Sequence, residues 1–144
     1  MANEVIAIAS DHGGYEFKEI LKSELVKYGF DVNDLGCHDT SSVDYPDYAH
    51  ALADTLKDGV IKRGVLVCGS GIGISIAANR HPHIRAALVH DALTARLSRE
   101  HNDANVLVLG GRTTGIEVAK DCLKVFLNTG FEGGRYQNRI NKMS

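Results

Sequence analysis

The sequence has little of several features that would place a protein in a special class. It holds three cysteines and two prolines in 144 residues, and no apolar run approaches the ~20 residues of a membrane-spanning helix. The net charge of −2 at pH 7 provides no basic field of the kind typical of nucleic-acid-binding proteins. The first residues include an acid at Glu4 and no basic stretch, unlike a secretory signal. We therefore expect a cytoplasmic protein that binds neither nucleic acid nor membranes.

The three cysteines differ in their surroundings. An odd count in a chain without a secretory signal indicates free thiols in a reducing compartment. Cys37 lies in a predicted turn and Cys122 on the apolar stripe of a predicted helix, so we interpret both as structural. Cys68 ends a buried strand beside a glycine-rich loop, where amide N–H groups and a helix dipole favour a thiolate.

Length and patterning predict one α/β domain. A chain of 144 residues with 44% hydrophobic and 24% charged residues suits a single globular domain over residues 1–144. Short apolar runs alternate with amphipathic segments, which predicts a parallel sheet with helices on both faces. We therefore predict a three-layer α/β/α sandwich around a five-stranded, Rossmann-like sheet. The predicted strands are Val5–Ala9, Asp31–Leu35, Gly64–Val67, Arg85–Val89 and Asn105–Leu109.

Several helix ends can be predicted from single residues. Gly29 suits the position after the first helix, and Pro46 suits the first turn of the second. Asp91 is a good N-cap. Thr114 and Glu117 have the spacing of a capping box at the start of the last long helix.

Polar residues and glycines follow four of the predicted strands. Ligands of open parallel sheets bind outside the carboxyl ends of the strands, so these segments are predicted to form the site. They are Ser10-Asp11-His12-Gly13-Gly14, Cys68-Gly69-Ser70-Gly71-Ile72-Gly73, His90-Asp91 and Gly110-Gly111-Arg112.

The glycine-rich loop after the third strand can form an anion-binding nest of backbone amides. A tight strand–helix turn is the simpler interpretation of the same glycines. The dinucleotide fingerprint fails because Ile74 stands where its third glycine belongs, although Asp91 lies where a ribose-binding acid would. A nucleotide-binding P-loop would need Gly-Lys followed by Ser or Thr, and a cysteine-dependent phosphatase loop would need an arginine; the loop has neither.

Two of the seven histidines lie at positions that suit a site. His12 directly follows the first strand, and His101 ends the fourth helix, although a helix-terminal histidine is usually a solvated cap. His81 and His83 fall in a predicted surface loop without the ligand spacing of a metal site.

Three arginines form a local basic cluster that suits phosphate oxygens. Arg135 and Arg139 are four apart, so a helical tail would present both on one face, whereas Arg112 follows the fifth strand. Gly133 and Gly134 suggest a hinge, and we expect the tail of about residues 131–144 to reach toward a partner subunit. A solvated polar tail is the alternative.

Taken together, five segments resemble type B ribose-5-phosphate isomerase, in a family that also includes galactose- and allose-phosphate isomerases. The resemblance covers nearly the whole chain, in order. The segments are Asp11-His12-Gly13-Gly14, Asp44-Tyr45-Pro46, Cys68–Ser75, Ser98–Asp103, and Gly133-Gly134-Arg135 with Arg139.

The resemblance implies metal-free and cofactor-free interconversion of ribose 5-phosphate and ribulose 5-phosphate, a step of the pentose phosphate pathway in carbohydrate metabolism. It implies a homodimer or homotetramer with sites between subunits. By resemblance, Cys68 is the base, and His101 opens the sugar ring with help from Ser70. The implied substrate-binding residues are the loop amides of Gly69, Gly71 and Gly73, together with Asp11, His12, Tyr45, Asn102, Arg112, Arg135 and Arg139.

Three alternatives remain at this stage. A six-carbon sugar phosphate could fit a site with the same chemical parts. A non-catalytic module could bind a phosphorylated ligand through the same nest. A redox protein using Cys68 would need a resolving cysteine close in the sequence, which the chain lacks.

Overall fold

The computed structural model describes residues 2–143, in which strands and helices alternate. In chain order the elements are β1 (Val5–Ser10), α1 (Tyr15–Lys27), β2 (Asp31–Asp34), α2 (Tyr45–Leu56), β3 (Arg63–Cys68), α3 (Ile72–Ala78), β4 (Ala86–Leu88), α4 (Ala92–Glu100), β5 (Val106–Gly110), α5 (Ile116–Asn128) and α6 (Arg135–Asn141). A single 3₁₀ turn, His12–Gly14, joins β1 to α1. Each of the five predicted strands is present, with small differences at the ends.

The strands form one parallel sheet in the order β2-β1-β3-β5-β4. Alternate side chains of the buried strands point to opposite faces. Ile8, Val65 and Leu107 pack against α1, α4 and α5, whereas Ala9 and Leu66 pack against α2 and α3. The predicted three-layer α/β/α sandwich is therefore confirmed.

The sheet order creates a switch point between β1 and β3. After β1 the chain moves to β2 on one side, and it then crosses back to β3 on the other. Open α/β sheets bind ligands at the carboxyl ends of the strands beside such a point. The loops after β1 and β3 are therefore the ones that the fold places at the expected site.

Most predicted helix ends are confirmed, and one is wrong. Pro46 lies in the first turn of α2, and the Asp91 side chain accepts a hydrogen bond of 2.7 Å from the Thr94 amide. The Thr114–Glu117 capping box does not form. The Thr114 amide instead donates to the carbonyl of Gly110 in the turn after β5, so the N-cap position passes to Gly115.

None of the helices within residues 2–143 combines the length and the apolarity that a bilayer span requires.

Candidate active site

Three loops meet at the carboxyl edge of the sheet. The register pairs Cys68 with Gly110, so β3 and β5 end at the same level. The Gly111 amide donates to the Cys68 carbonyl at 2.8 Å, and the Arg112 amide donates to the Gly69 carbonyl at 2.8 Å. The Asp11 amide donates to the Val67 carbonyl at 3.3 Å, which joins the β1 loop to β3. Predicted site residues collected here are Asp11, His12, Tyr45, Cys68, Gly69, Ser70, Gly71, Gly73 and Arg112; they are called the carboxyl-edge group below.

Cys68 lies at the base of the glycine loop. Its residue is 4% exposed, and its sulfur accepts a hydrogen bond of 3.2 Å from the Gly71 amide. Gly71 has φ of +78°, and a Cβ at this position would lie 2.5 Å from Leu88 Cδ1. Glycine is therefore required here both for the backbone conformation and for the close packing that turns the loop around the sulfur.

Side chains from other segments lie on the loop. A Cβ placed on Gly73 would lie 2.5 Å from the Tyr45 ring, so the ring packs directly against the loop backbone. The Arg112 side chain passes over Gly69, with Cδ 3.5 Å from the position of a Cβ there. The loop is thus flanked by an aromatic ring and by a guanidinium group.

Asp11 and His12 are both held by backbone amides. Asp11 is 7% exposed and accepts a hydrogen bond of 3.1 Å from the Gly14 amide through Oδ1. His12 accepts a hydrogen bond of 3.1 Å from the Val43 amide at Nδ1. Because Nδ1 is an acceptor, the neutral ring carries its proton on Nε2, which leaves a donor for a ligand.

A second group of predicted site residues surrounds the end of α4. The His101 ring stacks on Tyr136 of α6, with 4.4 Å between ring centroids and 13° between planes. The guanidinium carbons of Arg135 and Arg139 lie 5.1 and 5.7 Å from the centre of the Tyr136 ring. Asn102 follows His101, and these four predicted residues, together with Tyr136, are called the tail group below.

Sequence reasoning missed Tyr136. The residue carries no charge and belongs to no quoted motif, so its position between the two tail arginines was the only available signal. In the structure it orders the group, because its ring contacts His101 and its hydroxyl accepts a hydrogen bond of 3.1 Å from Arg135.

The two groups lie at opposite edges of the sheet. The segment between His101 and β5 lies at the end of the sheet where the parallel strands begin. The Gly64 amide, near the start of β3, donates to the Asn105 carbonyl of this segment at 2.9 Å. Cys68 lies four residues further along β3, which at ~3.3 Å per residue separates it from that end by roughly 13 Å. The predicted residues therefore form two separate groups within one chain.

His101 of the tail group also lies beside two carboxylates, and the three side chains together could hold a cation. Glu100, His101 and Glu132 each offer one ligand atom, and these atoms lie within 4.8 Å of one another. A backbone hydrogen bond of 3.1 Å from Glu132 to Glu100 connects the two segments. The expectation that no metal is used remains a prediction.

His81 and His83 lie in the loop after α3, as predicted, and fasten it to α2. His81 Nε2 is 2.7 Å from His50 Nδ1, and His83 Nε2 donates to the Ala53 carbonyl at 2.7 Å. Burial and the neighbouring His50 lower the pKa of His81, which favours the neutral ring. These contacts give both histidines a structural role that requires no bound ligand.

The fold and the loops at its switch point define a doubly wound α/β protein with a glycine-rich loop after β3. The sequence profile of the Ribose/Galactose Isomerase family matches residues 6–143. The chain therefore belongs to that family.

Named relatives match nearly the whole chain. Ribose-5-phosphate isomerase B of Escherichia coli (strain K12) is 41% identical over 139 residues, which cover 96% of this chain and 93% of that protein. The structure of ribose-5-phosphate isomerase B from Clostridium thermocellum is similar with a TM-score of 0.95 and 47% identity, covering 96% of this chain and 94% of that one. The isomerase from Thermotoga maritima has a TM-score of 0.95 and 48% identity, with 97% of both chains covered.

Proposed function

We propose that this chain is an aldose–ketose isomerase that interconverts ribose 5-phosphate and ribulose 5-phosphate through a cis-enediolate. The observation that carries the proposal is the Cys68 sulfur at the base of the glycine loop, 3.2 Å from the Gly71 amide. A base beside a cluster of amide donors is the arrangement that proton transfer next to a carbonyl requires. The names of the relatives from Escherichia coli and Clostridium thermocellum support the choice of sugar phosphate.

The proton transfer uses the carboxyl-edge group. The Cys68 thiolate takes the proton from C2 of the open-chain aldose, and the electron pair moves onto the oxygen of C1. The amides of Gly69, Ser70 and Gly73 stabilise that oxyanion, and one such donor is typically worth about 2.7–4 kcal/mol of barrier. The Gly71 amide, also expected to bind substrate, instead donates to the Cys68 sulfur. The proton then returns at C1, and the proton of the C2 hydroxyl moves to the oxygen of C1, so that the oxygen of C2 becomes the ketose carbonyl.

The tail group reaches this site from a second copy of the chain. Its four predicted residues lie at the other edge of the sheet, too far from Cys68 to act within one chain. Helix α3 runs from its N-cap Gly71 at the carboxyl edge to its C-cap Asn79, which hydrogen-bonds Ala86 at the start of β4. A twofold axis across α3 would exchange the two edges and place the partner's tail group on this chain's loop.

The exposed face of α3 supports that arrangement. Ile72 and Ile76 are 55% and 53% exposed, and they lie four residues apart on one face of the helix. Apolar side chains beside a glycine loop are suited to burial against a partner. We therefore infer a homodimer with two composite sites as the smallest active unit.

In this composite site, His101 opens the furanose ring with help from Ser70, and Asn102 adds a donor to the oxyanion. Asp11 binds sugar hydroxyls, and Tyr45 lines the pocket. The phosphate is held by His12, Arg112, Arg135 and Arg139. Guanidinium groups match phosphate oxygens in pairs, which gives the charged end of the substrate a fixed position.

Isotope exchange tests the proposal directly. We expect incubation with ribose 5-phosphate in deuterated water to introduce deuterium at C2, and the Cys68→Ala variant to lose this exchange. A protein that only binds phosphorylated ligands would bind the sugar without exchange, and that result would refute the isomerase. The same assay with allose 6-phosphate and galactose 6-phosphate separates a five-carbon from a six-carbon preference.

A further inference from the structure

Asp103 has an unusual backbone conformation. Among residues 2–143 it is the one non-glycine residue at positive φ, with a value of +46°. L-residues adopt this left-handed region at a cost, and aspartate tolerates it better than most. Asp103 directly follows His101 and Asn102, so its conformation sets the direction in which the chain leaves the tail group.

Two arginines hold Asp103 in this conformation. Arg99 of α4 donates to its Oδ1 at 2.9 Å, and Arg85, just before β4, contacts its Oδ2 at 3.4 Å. Arg85 also donates to the Asp103 carbonyl at 2.8 Å through Nε. Both the carboxylate and the backbone of Asp103 are therefore tied to neighbouring elements.

The arginines are themselves fixed. The Arg99 side chain is 12% exposed, donates to the carbonyls of Thr129 and Ala104 at 3.0 and 2.7 Å, and lies over the Phe126 ring. Arg85 precedes β4, and its amide donates to the Asn105 side chain at 2.8 Å. The contacts around Asp103 thus connect the core of the domain to the loop that carries His101.

We propose that Asp103 is a positioning residue for His101 and Asn102. Its clamped left-handed backbone fixes the angle at which these two side chains meet the partner's glycine loop. The proposal rests on the proposed function above. Asp103 itself touches no reacting atom, so its loss misplaces the ring-opening group and the oxyanion donor while the phosphate grip of Arg135 and Arg139 remains. Small misplacements of catalytic groups reduce the rate strongly.

Steady-state kinetics of three Asp103 variants test this role. We expect Asp103→Ala to lower kcat by roughly 10- to 100-fold with KM changed less than about threefold. Asp103→Asn tolerates the same backbone conformation and keeps one acceptor for Arg99, so it should recover most of the activity. Asp103→Gly adopts positive φ freely but lacks the clamp, and its kcat should stay low.

A matched control removes another ion pair from the same edge of the sheet. Glu4 pairs with Arg63 at 2.7 Å and is about as exposed as Asp103, with side chains 40% and 35% exposed. Glu4→Gln should therefore keep wild-type kcat, and thermal unfolding of all variants verifies that they are folded.

The outcomes separate this proposal from the one it rests on. A wild-type protein without isomerase activity refutes the proposed function. With an active wild type, an unimpaired kcat in Asp103→Ala or Asp103→Gly overturns the positioning role alone. An equal loss of kcat in Glu4→Gln also overturns it, because the effect would then follow from weakening the sheet edge in general.

Discussion

Cys68 and His12 are each oriented by a backbone amide from another residue. The Gly71 amide donates to the Cys68 sulfur, and the Val43 amide donates to Nδ1 of His12. The first contact keeps the proposed base against the loop that would hold the oxyanion. The second leaves Nε2 of His12 as the donor for a phosphate oxygen, so the two ring nitrogens have different tasks.

Replacing His12 by its two amide analogues separates these tasks. Asparagine can place its oxygen near the position of Nδ1 and keep the Val43 contact, whereas glutamine can place its amide nitrogen near the position of Nε2. We expect His12→Asn to raise KM for ribose 5-phosphate about tenfold, as loss of a charge-assisted hydrogen bond worth ~1.5 kcal/mol implies. His12→Gln should change KM less. A larger KM increase in His12→Gln would refute the assignment of Nε2 to the phosphate.

A buried ion pair near the site makes stability depend on pH. Lys18 is fully buried and contacts both oxygens of Asp34 at 2.7 and 2.9 Å. Burial alone would raise the pKa of Asp34, but hydrogen bonds from Lys18, Lys22 and the Gly36 amide outweigh it and lower the pKa to about 2. The charged form of Asp34 therefore stabilises the fold.

We expect Asp34→Asn to lower the free energy of unfolding by about 2 kcal/mol at neutral pH. A carboxyl group whose pKa is lower in the folded protein stabilises the fold at pH values above its ordinary pKa near 4. This stabilisation is lost as the pH falls toward about 2. In urea titrations, the difference in free energy of unfolding between wild type and Asp34→Asn should therefore become smaller as the pH falls through that range. Asp31→Asn, at an exposed position of β2, is the control and should show no such trend. A difference that stays constant down to pH 2 would contradict the assignment.

At the scale of elements, the loop between β3 and α3 combines a left-handed backbone conformation at Gly71 with close packing. Gly71 has φ of +78° and lies against Leu88 and the backbone of Leu109. Gly59 has φ of +79° but has open space around it. Alanine at Gly59 would therefore lower stability through the backbone conformation alone, whereas alanine at Gly71 would add a steric clash.

We expect Gly71→Ala to be less stable than Gly59→Ala by about 1–3 kcal/mol, the typical cost of overpacking. Gly71→Ala should also lose isomerisation because the loop shifts away from Cys68, whereas Gly59→Ala should keep wild-type kcat. Chemical denaturation and the isotope-exchange assay measure both effects. Similar stability and activity in the two variants would mean that the loop adapts to a side chain.

Local patterns in the sequence predict elements well where the cause is local. The strands, the proline start of α2 and the Asp91 cap depend on neighbouring residues, and they are confirmed. The Thr114 cap does not form because the Thr114 amide donates to the Gly110 carbonyl in the turn after β5. Long-range hydrogen bonds from the Gly111 and Arg112 amides to the carbonyls of Cys68 and Gly69 hold that turn in place. The stacking of Tyr136 on His101 joins residues 35 positions apart, so no local pattern indicates it.

The whole molecule divides its proposed site between two edges of one sheet. The carboxyl ends of parallel strands are predictable from the order of strands and helices, which is why residues near Cys68 were found together. His101 ends a helix that runs antiparallel to the strands, so it lies at the other edge. The sequence predicts the residues of both groups apart from Tyr136. It does not indicate which chain supplies each group, because that depends on how the surfaces of two subunits meet.

Hybrid dimers test the composite site at this scale. A dimer of one Cys68→Ala chain and one His101→Ala chain contains one site with both defects and one site that is wholly intact. We therefore expect each homodimer to be nearly inactive and the purified hybrid, isolated through two different affinity tags, to recover about half of the wild-type activity. A hybrid of Cys68→Ala with Cys68→Ser has no intact site and should stay inactive. If Cys68 and His101 acted within one chain, both sites of the first hybrid would be defective, and absence of recovery would exclude the shared arrangement.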